Sequence, residues 1–177
     1  MPYLKTLSLF LFLIVLQSSC APINNDTNSR ILSVTPVKQD ASWAEDWWEK
    51  RHNEKVLLAK NTEIDLLMVG DSITHWWESK GASVWEQFYE PRKAFNLGFS
   101  GDRTEHVLWR IRNGALDNMS PKLTVLMIGT NNTGHRNEPA EHTVKGIKEI
   151  LSEFRTRLPG SKVLLLGIFP RNNTPNS

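Results

Sequence analysis

Ser72 lies in a sequence context that suits a nucleophilic hydroxyl group. The apolar run at residues 64–69 is typical of a buried strand, Gly70 permits a tight turn, and Ser72 stands where a helix can begin. Such a turn exposes a side chain at the carboxyl edge of a sheet and points helix N-terminal amides toward it. A serine at a helix start is more often a plain N-cap, so the nucleophile hypothesis depends on its neighbours.

Two later turns carry groups that could stabilise a developing oxyanion. Gly101 precedes a predicted helix, so its N–H could point at an anion, and Asn131 could donate from its side-chain amide. Both residues could instead be simple turn formers. Acyl transfer needs a nucleophile together with two or three fixed donors around the carbonyl oxygen. Ser72, Gly101 and Asn131 together therefore predict an acyl-transfer site.

The elements that position these residues alternate along the chain. Strands are predicted at 64–69, 94–97, 123–128 and 162–169, and helices at 42–60, 73–78, 102–114 and 139–158. Apolar strands that alternate with amphipathic helices indicate an α/β fold, a three-layer sandwich around a doubly wound parallel sheet. Because ligand sites in such folds lie at the carboxyl ends of the strands, the three turns are expected to share one edge.

Polar residues at two helix starts predict side-chain caps. Ser42 is expected to cap the first helix, and Asp102 with Glu105 three residues later resembles a capping box. Of the seven Trp, most are expected to pack in the core, while an aromatic rim that stacks on sugars or acyl chains is the alternative. Trp76 and Trp77 follow the start of the helix at Ser72, and Trp85 and Trp109 are expected in the core or in a lid.

Composition argues against a polyanionic partner. The chain of 177 residues carries 21 Lys plus Arg and 19 Asp plus Glu, a net charge of +2. Basic residues do not cluster with aromatic ones in the manner of a nucleic-acid surface, so no nucleic acid is expected. The length suits one domain with a substantial core.

The N-terminal segment predicts export. Residues 1–20 have a lysine near the start, an apolar run at 7–16 and small residues after it, which is typical of a signal peptide. That run is shorter than the roughly 20 residues of a spanning helix. Cys20, the only cysteine, lies where a lipoprotein signal places its lipidated residue, so lipid anchoring and simple secretion both stay open. We predict a flexible linker at 21–41, the domain at 42–177, and a periplasmic or extracellular location.

Three short motifs resemble the conserved blocks of the GDSL/SGNH hydrolases. They are Gly-Asp-Ser-Ile at 70–73, Gly-x-x-Gly-Asp at 98–102 and Gly-Thr-Asn-Asn at 129–132. Residues 95–102, 106–110, 128–132 and 166–171 are similar to the catalytic (beta/gamma) subunits of platelet-activating-factor acetylhydrolase IB, and the resemblance runs from about residue 43 to 171. It implies a flavodoxin-like fold and an esterase that releases small acyl groups, with acetyl foremost, from a lipid or carbohydrate ester.

The resemblance also implies roles for individual residues. Ser72 would be the nucleophile, and its N–H would join the Gly101 N–H and the Asn131 side chain in an oxyanion hole. Asp71 would hold the turn and would not be the acid of the triad. The family needs no metal and no cofactor. The related subunits dimerise, so the resemblance leaves a homodimer open.

One departure from the family concerns the general base. The family places its acid and base in a late Asp-x-x-His block, which from Ser72 should lie beyond residue 177. We therefore expect the 177 residues to be a fragment, in which the strand at 162–169 presents an exposed apolar edge. The alternatives are a catalytically incomplete module of the same fold that binds a ligand, and an interaction protein with a vestigial pocket.

None of the five histidines is expected to replace that base. His75 follows Ser72 by three residues and could approach its hydroxyl, but nothing in the sequence orients the ring. His52 is expected on the surface of the first helix, and His135 and His142 at the pocket rim. His106 occupies a position that the family does not use as a base. We expect these side chains to be solvated or structural.

Overall fold

A four-stranded parallel sheet organises the chain. The computed structural model describes residues 31–170. Its strands are β1 (Leu66–Gly70), β2 (Ala94–Gly98), β3 (Leu123–Met127) and β4 (Lys162–Leu165). They run in the order β2-β1-β3-β4, and every neighbouring pair is parallel. This order is that of the flavodoxin-like doubly wound sheets, which confirms the predicted α/β class.

Helices occupy the connections between the strands. The α-helices are α1 (Trp48–Ala59), α2 (Ser72–His75), α3 (Thr104–Arg110), α4 (Thr130–Arg136) and α5 (Ala140–Arg157), with one further helical turn at Ala82–Val84. Single 3₁₀ turns lie at Leu32–Val34, Ser42–Ala44, Trp76–Glu78 and Glu90–Arg92, and π turns at Trp85–Tyr89 and Ile111–Ala115. Each predicted helix and strand is present, with ends that differ by a few residues.

The predicted cap at Ser42 is wrong. Ser42 begins a separate 3₁₀ turn, and α1 starts only at Trp48, where no side chain caps the helix. The chain bends between these two segments so that the indole of Trp48 enters the core, where it is 1% exposed. Burial of that large ring outweighs the roughly 1 kcal/mol that a serine cap contributes.

The core lies between the sheet and the helices. Strands β1, β2 and β3 bury Leu67, Leu97 and Leu126, while α5 contributes Ile150 and Phe154. Each such side chain contributes about 1.5–3 kcal/mol through removal from water.

Trp109 packs against this core as predicted, whereas Trp76 is 45% exposed. The three apolar side chains of the edge strand β4 are 38–47% exposed, in keeping with the expected apolar edge.

Residues 31–41, predicted as the end of a flexible linker, pack on the α/β unit. Ser33 is buried, and its carbonyl oxygen accepts a hydrogen bond of 2.9 Å from the Thr104 hydroxyl. The side-chain amide of Gln39 donates to the carbonyl oxygen of Gly101 at 3.2 Å. The signal peptide with Cys20 and the linker residues 21–30 lie outside the described residues, and the predicted domain boundaries stay predictions. No helix within residues 31–170 has the length and apolar character needed to cross a membrane.

Candidate active site

The three predicted site residues follow three adjacent strands. Ser72, Gly101 and Asn131 come after β1, β2 and β3, and β1 is hydrogen-bonded to both other strands. The strands end level with one another, because Gly70 pairs with Gly98 on one side and with Met127 on the other. The register therefore brings the three turns to the same edge of the sheet.

The turn at Ser72 is held by the residue before it. Asp71 is 1% exposed, and its carboxylate accepts a hydrogen bond of 2.9 Å from the backbone N–H of Ile73. Asp71 thus caps α2, and Ser72 is the first residue of that helix. Ser72 is half-buried, and neither its hydroxyl nor its N–H has a hydrogen-bond partner within the described residues 31–170. The hydroxyl and one donor are therefore available at the end of β1.

Asn96 joins the end of β2 to the serine turn. Its side-chain nitrogen donates to the carbonyl oxygen of Thr74 at 2.8 Å, and its side-chain oxygen accepts from the N–H of Gly98 at 2.7 Å. A Cβ at Gly98 would lie 2.2 Å from the backbone nitrogen of His75, so α2 can sit this close only to glycine. Both polar atoms of the buried Asn96 side chain therefore have a hydrogen-bond partner.

Gly101 adopts a conformation that favours glycine. Its φ is +77°, and a Cβ there would lie 2.1 Å from the Trp43 ring. Trp43 is 51% exposed and stacks on Trp47 with ring centroids 6.3 Å apart. The N–H of Gly101 donates to no group in the described part of the chain, although its carbonyl oxygen is bound by Gln39. A second donor is thus left unpaired at this edge.

Asn131 connects the ends of β2 and β3. It is the second residue of α4 and is 7% exposed, and its side-chain nitrogen donates to the carbonyl oxygen of Asp102 at 2.9 Å. An amide nitrogen carries two hydrogens, so one N–H remains for a ligand. The bond to Asp102 orients the amide from behind. Geometry of this kind suits a fixed donor at low conformational cost.

The predicted capping role of Asp102 is wrong. Helix α3 begins at Thr104 with Arg103 at the N-cap, and the Asp102 carboxylate is fully buried. It accepts from Arg110 Nε at 2.9 Å and from Trp48 Nε1 at 2.6 Å. Burial raises the pKa of Asp102 to about 6, although the guanidinium and the indole act in the opposite direction. The carboxylate is turned toward the buried arginine because an unpaired guanidinium in the core would cost more than an unmade cap.

Glu105, the second residue of the predicted capping box, is also buried. Its carboxylate pairs with Arg103 Nε at 2.6 Å and with the guanidinium of Arg136. Burial raises the pKa of Glu105, but these hydrogen bonds outweigh it and hold the pKa below its usual value. Asn132 extends the cluster, since its side-chain nitrogen donates to Glu138 at 2.8 Å. The cluster links α3 to the end of α4 beneath the site.

His75 points to the loop after β2 and not to Ser72. Its Nδ1 accepts a hydrogen bond of 3.2 Å from the N–H of Ser100 and lies 3.0 Å from the Ser100 hydroxyl. Burial and the nearby Arg51 lower the pKa of His75 to about 4. The ring is therefore neutral near pH 7 and serves as an acceptor for the loop.

Two other histidines, His52 and His106, are buried. His52, expected on the surface, is 3% exposed because α1 turns it into the core beside Trp48 and Trp109, so that prediction is wrong. His106 is fully buried, and burial together with Arg103 lowers its pKa to about 3. None of the five histidines, all within residues 31–170, hydrogen-bonds to Ser72. No cluster of three or more potential metal ligands occurs in this described range.

The fold and the site define a class of protein. It is a doubly wound α/β protein in which a serine, a glycine N–H and an asparagine amide collect at the carboxyl ends of adjacent strands. In such folds this edge is where ligands bind. Asn96, Gln39 and the Asp102–Arg110 pair support the edge. Asn96 and Asp102 lie in segments that the sequence had singled out, but no local pattern indicated these contacts.

Comparison with known proteins gives the family. Residues 68–177 match the GDSL-like Lipase/Acylhydrolase family. Platelet-activating factor acetylhydrolase IB subunit alpha2 of Homo sapiens is 42% identical over 132 residues, which are 75% of this chain and 56% of that protein. Subunit alpha1 of Bos taurus is 37% identical over 142 residues, which are 80% of this chain and 58% of that protein. The chain belongs to the GDSL-like lipase/acylhydrolase family, and the resemblance inferred from the three motifs is confirmed.

Solved structures agree with the fold. AlinE4, described as an SGNH-hydrolase family esterase, is 26% identical with a TM-score of 0.50, over 60% of this chain and 59% of that chain. A GDSL-like lipase from Bacteroides thetaiotaomicron has a TM-score of 0.53 at 22% identity, over 67% of this chain and 57% of that chain. The second similarity concerns the fold alone. The chain spans a little over half the length of the relatives named above.

Proposed function

We propose that the complete protein is an exported serine esterase that removes small acyl groups, chiefly acetyl, from a lipid or carbohydrate ester. Ser72 is the nucleophile in this proposal. The N–H groups of Ser72 and Gly101 and the side-chain amide of Asn131 bind the oxyanion. The observation that carries the proposal is the level ending of β1, β2 and β3, which places these groups at one edge. Family membership supports the reaction class.

The proposed chemistry proceeds through an acyl-enzyme. Ser72 Oγ attacks the ester carbonyl carbon, and the carbonyl oxygen becomes an oxyanion between the three donors. The C–O bond to the alcohol breaks, the alcohol leaves with a proton, and water then hydrolyses the acyl-serine. The base that accepts the serine proton is expected from the Asp-x-x-His block that the family resemblance implies.

Substrate profiling of the complete protein tests the acyl part of the proposal. We expect kcat/KM to be highest for p-nitrophenyl acetate and to fall as the acyl chain lengthens. Acetylated sugars and acetylated phospholipids, compared at equal concentration, then separate the two alcohol classes. A preference for long acyl chains would contradict the small-acyl proposal, and no hydrolysis of any ester would contradict the esterase proposal.

Removal of the Asn131 amide is expected to affect turnover more than substrate binding. In the complete protein, Asn131→Ala should lower kcat on p-nitrophenyl acetate by about 10²–10³-fold with a small change in KM, because the donor acts mainly on the transition state. Steady-state kinetics provide the measurement. Asn113→Ala is the matched control, since its amide bonds to the Trp109 carbonyl oxygen at an exposed site. An unchanged kcat in Asn131→Ala would remove this residue from the proposed oxyanion hole.

A ligand-binding module is the second candidate function. One observation favours it, namely that no histidine within residues 31–170 hydrogen-bonds to Ser72. Binding of an acetylated sugar without turnover, unchanged by Ser72→Ala, would support the module.

Export is proposed from the signal-like residues 1–20. Cell fractionation tests it, because an exported protein should appear in the periplasmic or secreted fraction with residues 1–20 removed. Retention of the uncleaved protein in the cytosol would contradict it. Lipidation of Cys20 and a homodimer stay predictions.

A further inference from the structure

The contact between His75 and Ser100 joins the serine turn to the loop that carries Gly101. His75 is the last residue of α2, the one-turn helix that Ser72 begins. Its Nδ1 lies 3.2 Å from the Ser100 nitrogen and 3.0 Å from the Ser100 hydroxyl oxygen. Ser100 directly precedes Gly101. The two halves of the site are therefore connected through one imidazole.

The direction of these hydrogen bonds follows from the chemistry of the groups. A backbone N–H can only donate, so Nδ1 must carry no proton and must act as the acceptor. The neutral ring then has its proton on Nε2, and the Ser100 hydroxyl also donates to Nδ1. The lowered pKa of His75 agrees with this assignment, since burial and Arg51 both disfavour the charged ring.

The imidazole is itself held in place by its surroundings. Its ring lies against Trp47 with centroids 5.6 Å apart and against Phe99 with centroids 6.5 Å apart. The N–H of His75 donates to the Asp71 carbonyl oxygen at 2.9 Å, and its backbone touches Gly98. His75 is thus a fixed acceptor at a fixed distance from the serine turn.

The rest of the loop is restrained on its other side. Gln39 binds the carbonyl oxygen of Gly101 at 3.2 Å, and the N–H of Asp102 donates to the Phe99 carbonyl oxygen at 3.1 Å. The second bond closes a β-turn in which Ser100 and Gly101 are the two central residues, and the peptide unit between them carries the Gly101 N–H. The bond from Ser100 to His75 adds a connection between this turn and the serine turn, which the turn's own bond does not provide.

We propose that His75 is a positioning residue that holds Ser100 and thereby aims the Gly101 N–H at the ester carbonyl oxygen beside Ser72. The inference rests on the proposed esterase function. It gives His75 a role that differs from general base catalysis, because the imidazole acts on the loop and not on the serine hydroxyl. Removing the acceptor leaves the Gly101 N–H present, but its turn is no longer held at a fixed position relative to Ser72.

Two substitutions at His75 in the complete protein test the proposal. His75→Leu removes the acceptor and is expected to lower kcat on p-nitrophenyl acetate by about 10–100-fold with little change in KM, as expected for a misplaced donor. His75→Asn keeps an acceptor at the same number of bonds from Cβ as Nδ1, and should restore kcat to within about threefold of wild type. Lys148→Leu, at an exposed residue of α5, introduces the same side chain at a site outside the proposed machinery and should leave kcat unchanged.

The outcomes separate this inference from the proposed function. If His75→Asn is as impaired as His75→Leu, or if His75→Leu keeps the wild-type kcat, the positioning role is wrong. Loss of turnover in Ser72→Ala together with either of those results would leave the esterase proposal standing. Wild-type turnover by Ser72→Ala, or a complete protein without esterase activity, would overturn both. Thermal unfolding of each variant shows whether a lower kcat reflects a lower folded fraction.

Discussion

Ser72→Ala in the complete protein is expected to lower kcat on p-nitrophenyl acetate by at least about 10⁴-fold, as the loss of a nucleophile does in other serine hydrolases. The physical reason is that Ser72 Oγ forms the bond to the acyl group in the proposed reaction, and a methyl group cannot form it. The fold should be unaffected. The hydroxyl of Ser72 makes no hydrogen bond within residues 31–170, so its removal leaves no buried partner unsatisfied.

A surface serine provides the control for this experiment. Ser83 is exposed and lies in the helical turn Ala82–Val84, away from the strand ends. Ser83→Ala should keep the wild-type kcat and the wild-type unfolding temperature. Rapid mixing with p-nitrophenyl acetate adds a second readout, because the wild-type protein should show a burst of one nitrophenol per Ser72 and Ser72→Ala should show none. A burst in Ser72→Ala would show that another residue is the nucleophile.

Asp102→Asn is expected to lower the free energy of unfolding by about 3–5 kcal/mol, the range for a buried ion pair that loses one partner. Asp102 and Arg110 are both almost fully buried, and two guanidinium contacts of 2.9 and 2.8 Å join them. Burial lowers the pKa of Arg110 and raises that of Asp102, so each charge depends on the other. Urea unfolding of the complete protein measures the loss as a lower midpoint.

Asp117→Asn is the control for the ion pair. Its side chain is 59% exposed and lies 3.9 Å from Arg157, so its removal should cost less than about 1 kcal/mol. The double variant Asp102→Leu with Arg110→Met removes both buried charges. Its loss in free energy of unfolding should be smaller than the losses of Asp102→Leu and Arg110→Met added together. If Asp102→Asn unfolds at the same urea concentration as wild type, the carboxylate does not stabilise the fold as the geometry indicates.

Local patterns were sufficient for the strands and for the turns that follow them. The apolar runs before Ser72 and Asn131 are continuous, and such runs bounded by turn residues form buried parallel strands wherever helices cover the sheet. The ends of β1, β2 and β3 were predicted to within two residues, whereas β4 ends at Leu165, four residues before its predicted end. The positions of Ser72, Gly101 and Asn131 after successive strands could therefore be predicted, whereas their catalytic roles stay a proposal.

Predictions from local sequence patterns were wrong for two polar side chains whose contacts depend on the packing of other segments. The sequence around Asp102 resembles that of a helix cap, but the carboxylate accepts hydrogen bonds from an indole 54 residues away along the chain and from the guanidinium of the last residue of α3. The sequence predicted that His52 lies on the surface of the first helix, but the orientation of α1 places the His52 ring against Trp109. Because the indole and the imidazole meet partners more than 50 residues away along the chain, no periodic pattern in the sequence indicates these contacts.

The sequence by itself determined the order of strands and helices and the identity of the turns that meet at one edge of the sheet. The spacing of hydrophobic residues and the positions of glycine depend on a few neighbouring residues, so helices, strands and turns can be predicted from the sequence. Only the tertiary structure decided that His75 binds Ser100, that Asp102 pairs with Arg110 and that residues 31–41 pack near Gly101. Burial sets the cost of each unpaired polar group, and burial exists only after distant segments have packed together.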